Sequence, residues 1–544
     1  MRLFTTLLSI LQLILIFIFT SLPFPIYAMD LDQKINDAFM PIAIWWENLV
    51  FTEIRIGTFS IPIVLIFLVG GALFFTLIFK FINIRKFVMA IQVVRGKYDH
   101  IEKSTPNKTK ETLNVYAENG DIKATIKDES EEGEVNHFQA LTTAISGTVG
   151  LGNIAMVAVA ISIGGPGATL WMILAGILGM STKFVECTLG VKYRDVNEKG
   201  EVHGGPMYYL SKGMQEVGYS KLGKVLSIWF AIMCVGASFG GGNAFQSNQA
   251  AAQIINRFGI NFSGNGTVIG VVFAILVGIV IIGGIKRIAK VTEKVVPLMA
   301  GIYIMAALFI ILSHAEFILP AFQQIFGEAF TPRAGITGGF VGVLIQGLRR
   351  AAFSNEAGAG SAAIAHSAVK TKYAASEGLV ALLEPFIDTV IICTMTALVI
   401  VIFNMEGNFI YGDVINNEVA LASGERIGGV NLTSMAFDNA IPGFSYVLAV
   451  AVILFAFSTM LSWSYYGLQS WKFLFGRSKK SDLIFKIIFL CFTVLGSAVT
   501  LDAVIKFSDA MILALVFPNM IGLMFLWGKV RGELERFSHK VTQS

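Results

Sequence analysis

The sequence predicts an all-α polytopic membrane protein, and three observations carry that prediction. Its 544 residues are 55% hydrophobic and only 14% charged, with a mean hydropathy of +0.69, a composition of bilayer-embedded rather than water-soluble chains. Apolar runs of about 20 residues, each able to cross about 30 Å of hydrocarbon, recur from Phe59 to Trp527. Helices satisfy their own backbone hydrogen bonds in that setting. Lysine and arginine, finally, concentrate on alternate connections between the runs, as the positive-inside rule requires. The net charge of +4 matters less than this placement.

At the N-terminus, Arg2, an apolar run from Leu3 to about Thr20 and then "SLPFPIYA" before Met29 resemble a secretory signal ending after Ala28. The run is a little long for a signal, so an uncleaved helix is the alternative. Cleavage would leave 29–57 as an extracytoplasmic N-terminal segment. Eleven spans follow, roughly 58–82, 138–163, 168–191, 225–255, 266–285, 295–316, 336–366, 374–403, 441–471, 483–500 and 503–527. With the N-terminus outside, the expected cytoplasmic connections hold Arg85, Lys86, Arg95 and Lys97, then Lys192 and Arg194, then Lys286, Arg287, Lys290 and Lys294. Lys370 and Lys372, Lys472, Arg477, Lys479 and Lys480, and a tail at 528–544 with Lys529, Arg531 and Arg536 complete the set. The outer connections hold single residues such as Arg257, Arg333 and Arg426. The expected location is therefore a plasma (bacterial inner) membrane, with the C-terminus cytoplasmic.

One soluble excursion, the cytoplasmic loop 83–137, contains "TLNVYAENGDIKATIK", whose alternation around Asn119-Gly120 signals a β-hairpin. The acidic "DESEEGE" after it reads as a solvated linker. Cys187, Cys234, Cys393 and Cys491 all fall within apolar spans and read as small core residues. They offer neither a disulfide framework nor a zinc spacing.

Two spans are spoiled from within. "SGTVGLGN", Ser146 to Asn153, interrupts the span that opens at 138, and "SNEAGAGS", Ser354 to Ser361, interrupts the one that opens at 336. Small-residue helix packing would explain glycines alone, but not the polar "SNE" beside them. Counted from 138, the breaks lie in the first and sixth spans, so each opens a set of five, 138–316 and 336–527. Five is odd, so the second set crosses in the opposite sense. Paired discontinuous helices in such halves mark a transporter site near the midplane. Half-helix N-termini offer N–H groups and partial positive charge to a carboxylate, while unwound carbonyls and Asn, Ser and Thr oxygens suit sodium.

The stretches "TAISGTVGLGNIAMVAVAISIGGPG", "GMSTKFVECTLGVKYR", "GGPMYYL", "FSNEAGAGSAAIAH" and "FAFSTMLSWSYYG" resemble the alanine or glycine:cation symporters, also called sodium:alanine symporters. The resemblance covers most of 138–475. It implies a LeuT-type fold, five plus five inverted helices behind one extra N-terminal helix, and sodium-coupled import of a small neutral amino acid such as alanine or glycine. It implies no cofactor beyond the coupling ion, no nucleic acid and no obligate protein partner. Carried over, Thr148, Gly150 and Asn153 are expected to contact substrate or sodium, with Ser354, Asn355 and Gly358 facing them and Gln246 as a pocket wall. Ser458 and Thr459 resemble hydroxyl ligands of a sodium ion completed by backbone carbonyls near Ser146 and Val149. Many family members have "GTGNIAGV" where this chain has "GLGNIAMV". Met156, if it faces the pocket, then affects which amino acid fits.

Charges inside spans are functional candidates by default. Lys183 and Glu186, three apart on one helix, are expected to pair. Arg349, Arg350, Glu356, Glu384 and Asp388 are expected to form a network pinning the second break, although either arginine could instead attract the substrate carboxylate. His366, ending a helix near the cytoplasmic face, is expected to be a cap or loop residue rather than a proton relay. The nearest rival is the same fold driven by protons through Glu356 or His366. An intramembrane hydrolase using Ser354, His366 and Glu384 lacks any nucleophile motif, and a passive channel would lack saturable, sodium-dependent substrate binding.

Overall fold

A chain that must close its backbone hydrogen bonds without water becomes helical almost throughout. The computed structural model describes residues 29–57, 59–102, 133–197, 200–260, 262, 264–331, 336 and 338–543. The expected signal at 1–28, the hairpin at Asn119-Gly120 and all of the acidic linker but Gly133 and Glu134 lie outside the described residues. Among the described residues, seven helices are long and apolar enough to cross a membrane. The pair His137–Thr148 and Gly152–Gly164, bent by 48°, is long and apolar enough when taken together. Two shorter apolar helices, Ile63–Ile78 and Asn265–Ile281, sit at the expected spans 58–82 and 266–285.

The first broken helix starts on a capping box: Asn136 accepts from the Gln139 backbone N–H, and the Gln139 side chain accepts from that of Asn136. Helical geometry ends at Val149 (φ −76°, ψ 86°) and resumes as one π-helical turn, Gly152–Met156, leading into Val157–Gly164. The second broken helix runs Gly339–Asn355, unwinds through Glu356, Gly358 and Gly360, all at positive φ, and resumes at Ala362–His366. Further π turns interrupt other helices at Gly240–Ala244 and Phe386–Cys393. Such turns widen a helix and re-aim its side chains, often at functional sites.

Several elements differ from the expectations. The segment 29–57 contains the helix Met29–Val50, which buries Phe39, Ala43 and Val50 along one side. It packs along Leu501–Ala514, with Phe39 edge-on to Phe507 at 5.0 Å. Asn36 accepts from the Thr500 N–H and hydroxyl at 3.1 and 2.9 Å. Polar residues interrupt its apolar positions, so it escapes a search for 20-residue hydrophobic runs. Lys286–Lys294, expected in a connection, form the first turns of the helix Gly284–Ser313, because long basic side chains can extend from a helix end to its polar surroundings. Between 403 and 441 stand a three-stranded antiparallel sheet, Phe409–Ile415, Glu418–Leu421 and Arg426–Gly428, and the helix Gly429–Ala440. Cys187, Cys234 and Cys393 are buried, but Cys491 is exposed; it is a surface thiol of its helix rather than a core residue.

Candidate functional site

At the first break the backbone donors have found new acceptors. In a continuous helix Gly150 N–H would reach Ser146 O; here it goes to Thr148 O at 2.9 Å and to Asn153 Oδ1 at 2.9 Å. Leu151 N–H donates to Gln246 Oε1 at 3.0 Å. Gly147 O accepts from the indole N–H of Trp463 at 3.3 Å, and Ile154 O from the Thr433 hydroxyl at 3.0 Å. Thr433 lies on Gly429–Ala440, which therefore sits directly on the first break.

The second break is held by Glu356, a non-glycine residue at φ +55°. Its carboxylate accepts from the Ser361 hydroxyl and from Trp463 Nε1 at 3.0 Å. One tryptophan thus ties the two breaks together. Its sequence signal is weak, since an indole in an apolar run reads first as core. Ser354 donates to Asp388 Oδ1 at 3.1 Å. Asn355 donates to the Thr389 hydroxyl at 2.9 Å, while its Oδ1 accepts from Ala357 N–H at 2.9 Å. Asn153 of the first break joins the same cluster, donating to Asp388 Oδ1 at 2.5 Å.

The oxygens expected to hold a cation come from the first break and from the helix Phe444–Phe475, which packs against it. Ser146 donates to Ser458 O at 2.7 Å, and Ser458 donates to Phe455 O at 3.0 Å, leaving its lone pairs available. Among the described residues, nothing hydrogen-bonds to the buried Thr459 Oγ1. A side chain at Gly150 would run into Thr459 Oγ1 and come within 3.1 Å of Gln246 Oε1, so only glycine lets this backbone approach so closely. Val149, where the helix unwinds, turns its carbonyl off the helix direction. An orphaned hydroxyl beside an unwound turn is the donor chemistry of a hard monovalent cation. Thr148 is buried in the same turn, its hydroxyl directed back to Ala144 O at 3.3 Å.

Two expected pocket residues lie elsewhere. Gly358 donates its N–H to Glu186 Oε1 at 2.9 Å, and its carbonyl accepts from Asn519 at 2.8 Å. A Cβ there would meet Leu68 of Ile63–Ile78 at 2.8 Å, so Gly358 faces the extra helix rather than Gly150. Met156 turns its sulfur to Arg350 Nη1 at 2.9 Å. Phe353, by contrast, is no candidate from its sequence context, yet it stands 3.4 Å from where a Cβ at Gly152 would be.

The charges are arranged differently from the expectation. Lys183 pairs with Glu384 at 3.1 Å rather than with Glu186, both partners fully buried; a residue on a facing helix reaches it better than a neighbour on its own. Arg349, Arg350, Glu356, Glu384 and Asp388 do not form one network. Asp509 binds Arg349 at 2.7 Å and Arg350 at 2.6 Å, and Glu47 of the N-terminal helix binds Arg349 at 2.6 Å. Two cations and two anions balance there, so neither arginine is a free receptor for a carboxylate. His366 is a buried link rather than a cap: its Nδ1 meets Glu377 at 2.5 Å and its Nε2 lies 3.5 Å from Glu384. Glu377 also binds His137, at the start of the first broken helix.

A model of the sodium:alanine symporter family matches residues 48–544. Over 478 residues the chain is 36% identical to a sodium/alanine symporter of Methanococcus maripaludis, covering 88% of this chain and 94% of that one. It is 32% identical over 461 residues to an amino-acid carrier protein of Bacillus subtilis, covering 84% and 86%. A sodium/proton-dependent alanine carrier protein of Bacillus strain PS3 is 30% identical over 430 residues, covering 78% and 92%.

Proposed function

Because the chain belongs to the sodium:alanine symporter family, we propose that it imports a small neutral amino acid, such as alanine or glycine, together with sodium by alternating access. It is a membrane transporter and not an enzyme. The observation that carries the reading is the pairing at the first break. Backbone N–H groups of Gly150 and Leu151 are held by exchangeable side-chain acceptors, and the unpartnered Thr459 hydroxyl lies against the same turn, beside Gln246 Oε1 where a Cβ at Gly150 would point. A carboxylate replaces the acceptors on the N–H side, and sodium takes the oxygens of Thr459, Ser458, Val149 and Ser146. Phe353 against Gly152 keeps the space small, which suits alanine or glycine.

The wider arrangement is an eleven-span LeuT-type one: the extra helix, repeats 138–316 and 336–527 in opposite senses, the N-terminus outside and the C-terminus in the cytoplasm of a bacterial inner membrane. Sodium and amino acid together stabilise an occluded state, and rocking of one bundle against the other opens it inward. A potential of 100 mV supplies about 2.3 kcal/mol per charge moved. Proton drive is a second reading, supported by the buried chain Lys183, Glu384, His366, Glu377 and His137.

Uptake of radiolabelled alanine and glycine into proteoliposomes, under an inward sodium or an inward proton gradient, tests both. Accumulation with sodium alone is expected, and Asn153→Ala and Thr459→Ala should each abolish it without preventing membrane insertion. Accumulation with protons alone would overturn the sodium assignment.

A further inference from the structure

Asp388 is fully buried, in the π turn Phe386–Cys393. Its oxygens accept from Asn153 at 2.5 Å, Ser354 at 3.1 Å and Thr389 at 2.7 Å, all neutral donors. Among the described residues no lysine, arginine or histidine forms an ion pair with it; the buried cations Lys183, Arg350 and His366 are committed to Glu384, Asp509 and Glu377. A buried carboxylate without a counter-charge is costly, the more so inside a membrane. This one stands between the two breaks, where a ligand would be.

The Asn153 carboxamide indicates which ligand. Its oxygen accepts from Gly150 N–H at 2.9 Å, and its nitrogen donates to Asp388 at 2.5 Å. Both neighbours impose the same orientation, because an N–H requires an acceptor and a carboxylate requires a donor. The site therefore presents a donor at one end and an anion at the other, bridged by one small group. A zwitterionic α-amino acid has the complementary polarity, with full charges in place of dipoles.

Resting on the amino-acid reading above, we propose that Asp388 is the counter-ion of the substrate's α-ammonium group. The substrate carboxylate lies on the N–H groups of Gly150 and Leu151, its ammonium donates to Asp388, and the Ser354 hydroxyl orients the Asp388 carboxylate that receives it. Specificity for zwitterions over plain carboxylates then comes from Asp388 rather than from either arginine. A rival role exists for the same carboxylate, as ligand of a second sodium ion, and the test separates the two.

Purified full-length protein and its Asp388→Asn and Asp388→Ser variants would be assayed for equilibrium binding of radiolabelled alanine in sodium, and of radioactive sodium without amino acid. The expected result is alanine affinity reduced by about 10- to 100-fold, the loss of one charge-assisted contact, with substrate-free sodium binding unchanged. Loss of sodium binding without amino acid would make Asp388 a cation ligand and overturn the proposal, as would undiminished alanine binding in either variant. If neither variant folds, the wild type decides: L-lactate, which lacks the ammonium, should displace labelled alanine far more weakly than unlabelled alanine does, and equal displacement would overturn the proposal. Failure of the amino-acid reading itself is distinct, since wild-type protein would then bind no alanine in sodium at all.

Discussion

Gly150→Ala removes sodium-driven uptake while leaving the protein folded and inserted. The added methyl group would overlap Thr459 Oγ1 and press on Gln246 Oε1 at 3.1 Å. It meets the orphaned hydroxyl and the acceptor of Leu151 N–H together, so the sodium and carboxylate positions are both displaced. A displacement of about 1 Å at such a site costs on the order of 100-fold. Initial uptake rates in proteoliposomes, at matched protein content, measure it. Gly528→Ala is the control, because a Cβ there has nothing within 4 Å, and its uptake should match wild type. A Gly150→Ala variant within a few-fold of wild type would remove the close approach from the account.

Lys183→Met destabilises the whole protein. Lys183 and Glu384 are fully buried, 3.1 Å apart. Removing the cation leaves Glu384 buried beside Glu377, with His366 between them. Breaking a buried pair in this way costs about 3–5 kcal/mol, read as lost yield and a lower thermal midpoint in detergent. Adding Glu384→Met to Lys183→Met removes the stranded carboxylate as well, and the double variant should recover most of the loss. A double variant worse than the single one would contradict the pairing.

What is legible in the sequence follows from what local pattern encodes. Glycines and polar residues inside an apolar run report a place where backbone groups need new partners, so both breaks can be read from Ser146–Asn153 and Ser354–Ser361. Pattern cannot report which facing element supplies the partner. Helical spacing points Lys183 to its neighbour Glu186, but the partner is Glu384, 201 residues away. Arg349 and Arg350 read as servants of the second break, but Asp509 and Glu47, on segments distant in sequence, balance them. Asp388 reads as a structural charge because its sequence neighbours are mostly apolar; only the π turn and the fold bring it against Asn153 and Ser354. Trp463 is hidden for the same reason, its role being fixed by Gly147 and Glu356 from two distant segments.

The central claim is that one unwound turn binds both sodium and an amino acid. Linkage then requires each ligand to raise the other's affinity by the same factor. Equilibrium binding of labelled alanine to purified protein across a range of sodium concentrations, and of labelled sodium across a range of alanine concentrations, measures both factors. The account predicts that the two factors are equal and greater than one. Alanine binding that is indifferent to sodium would contradict it.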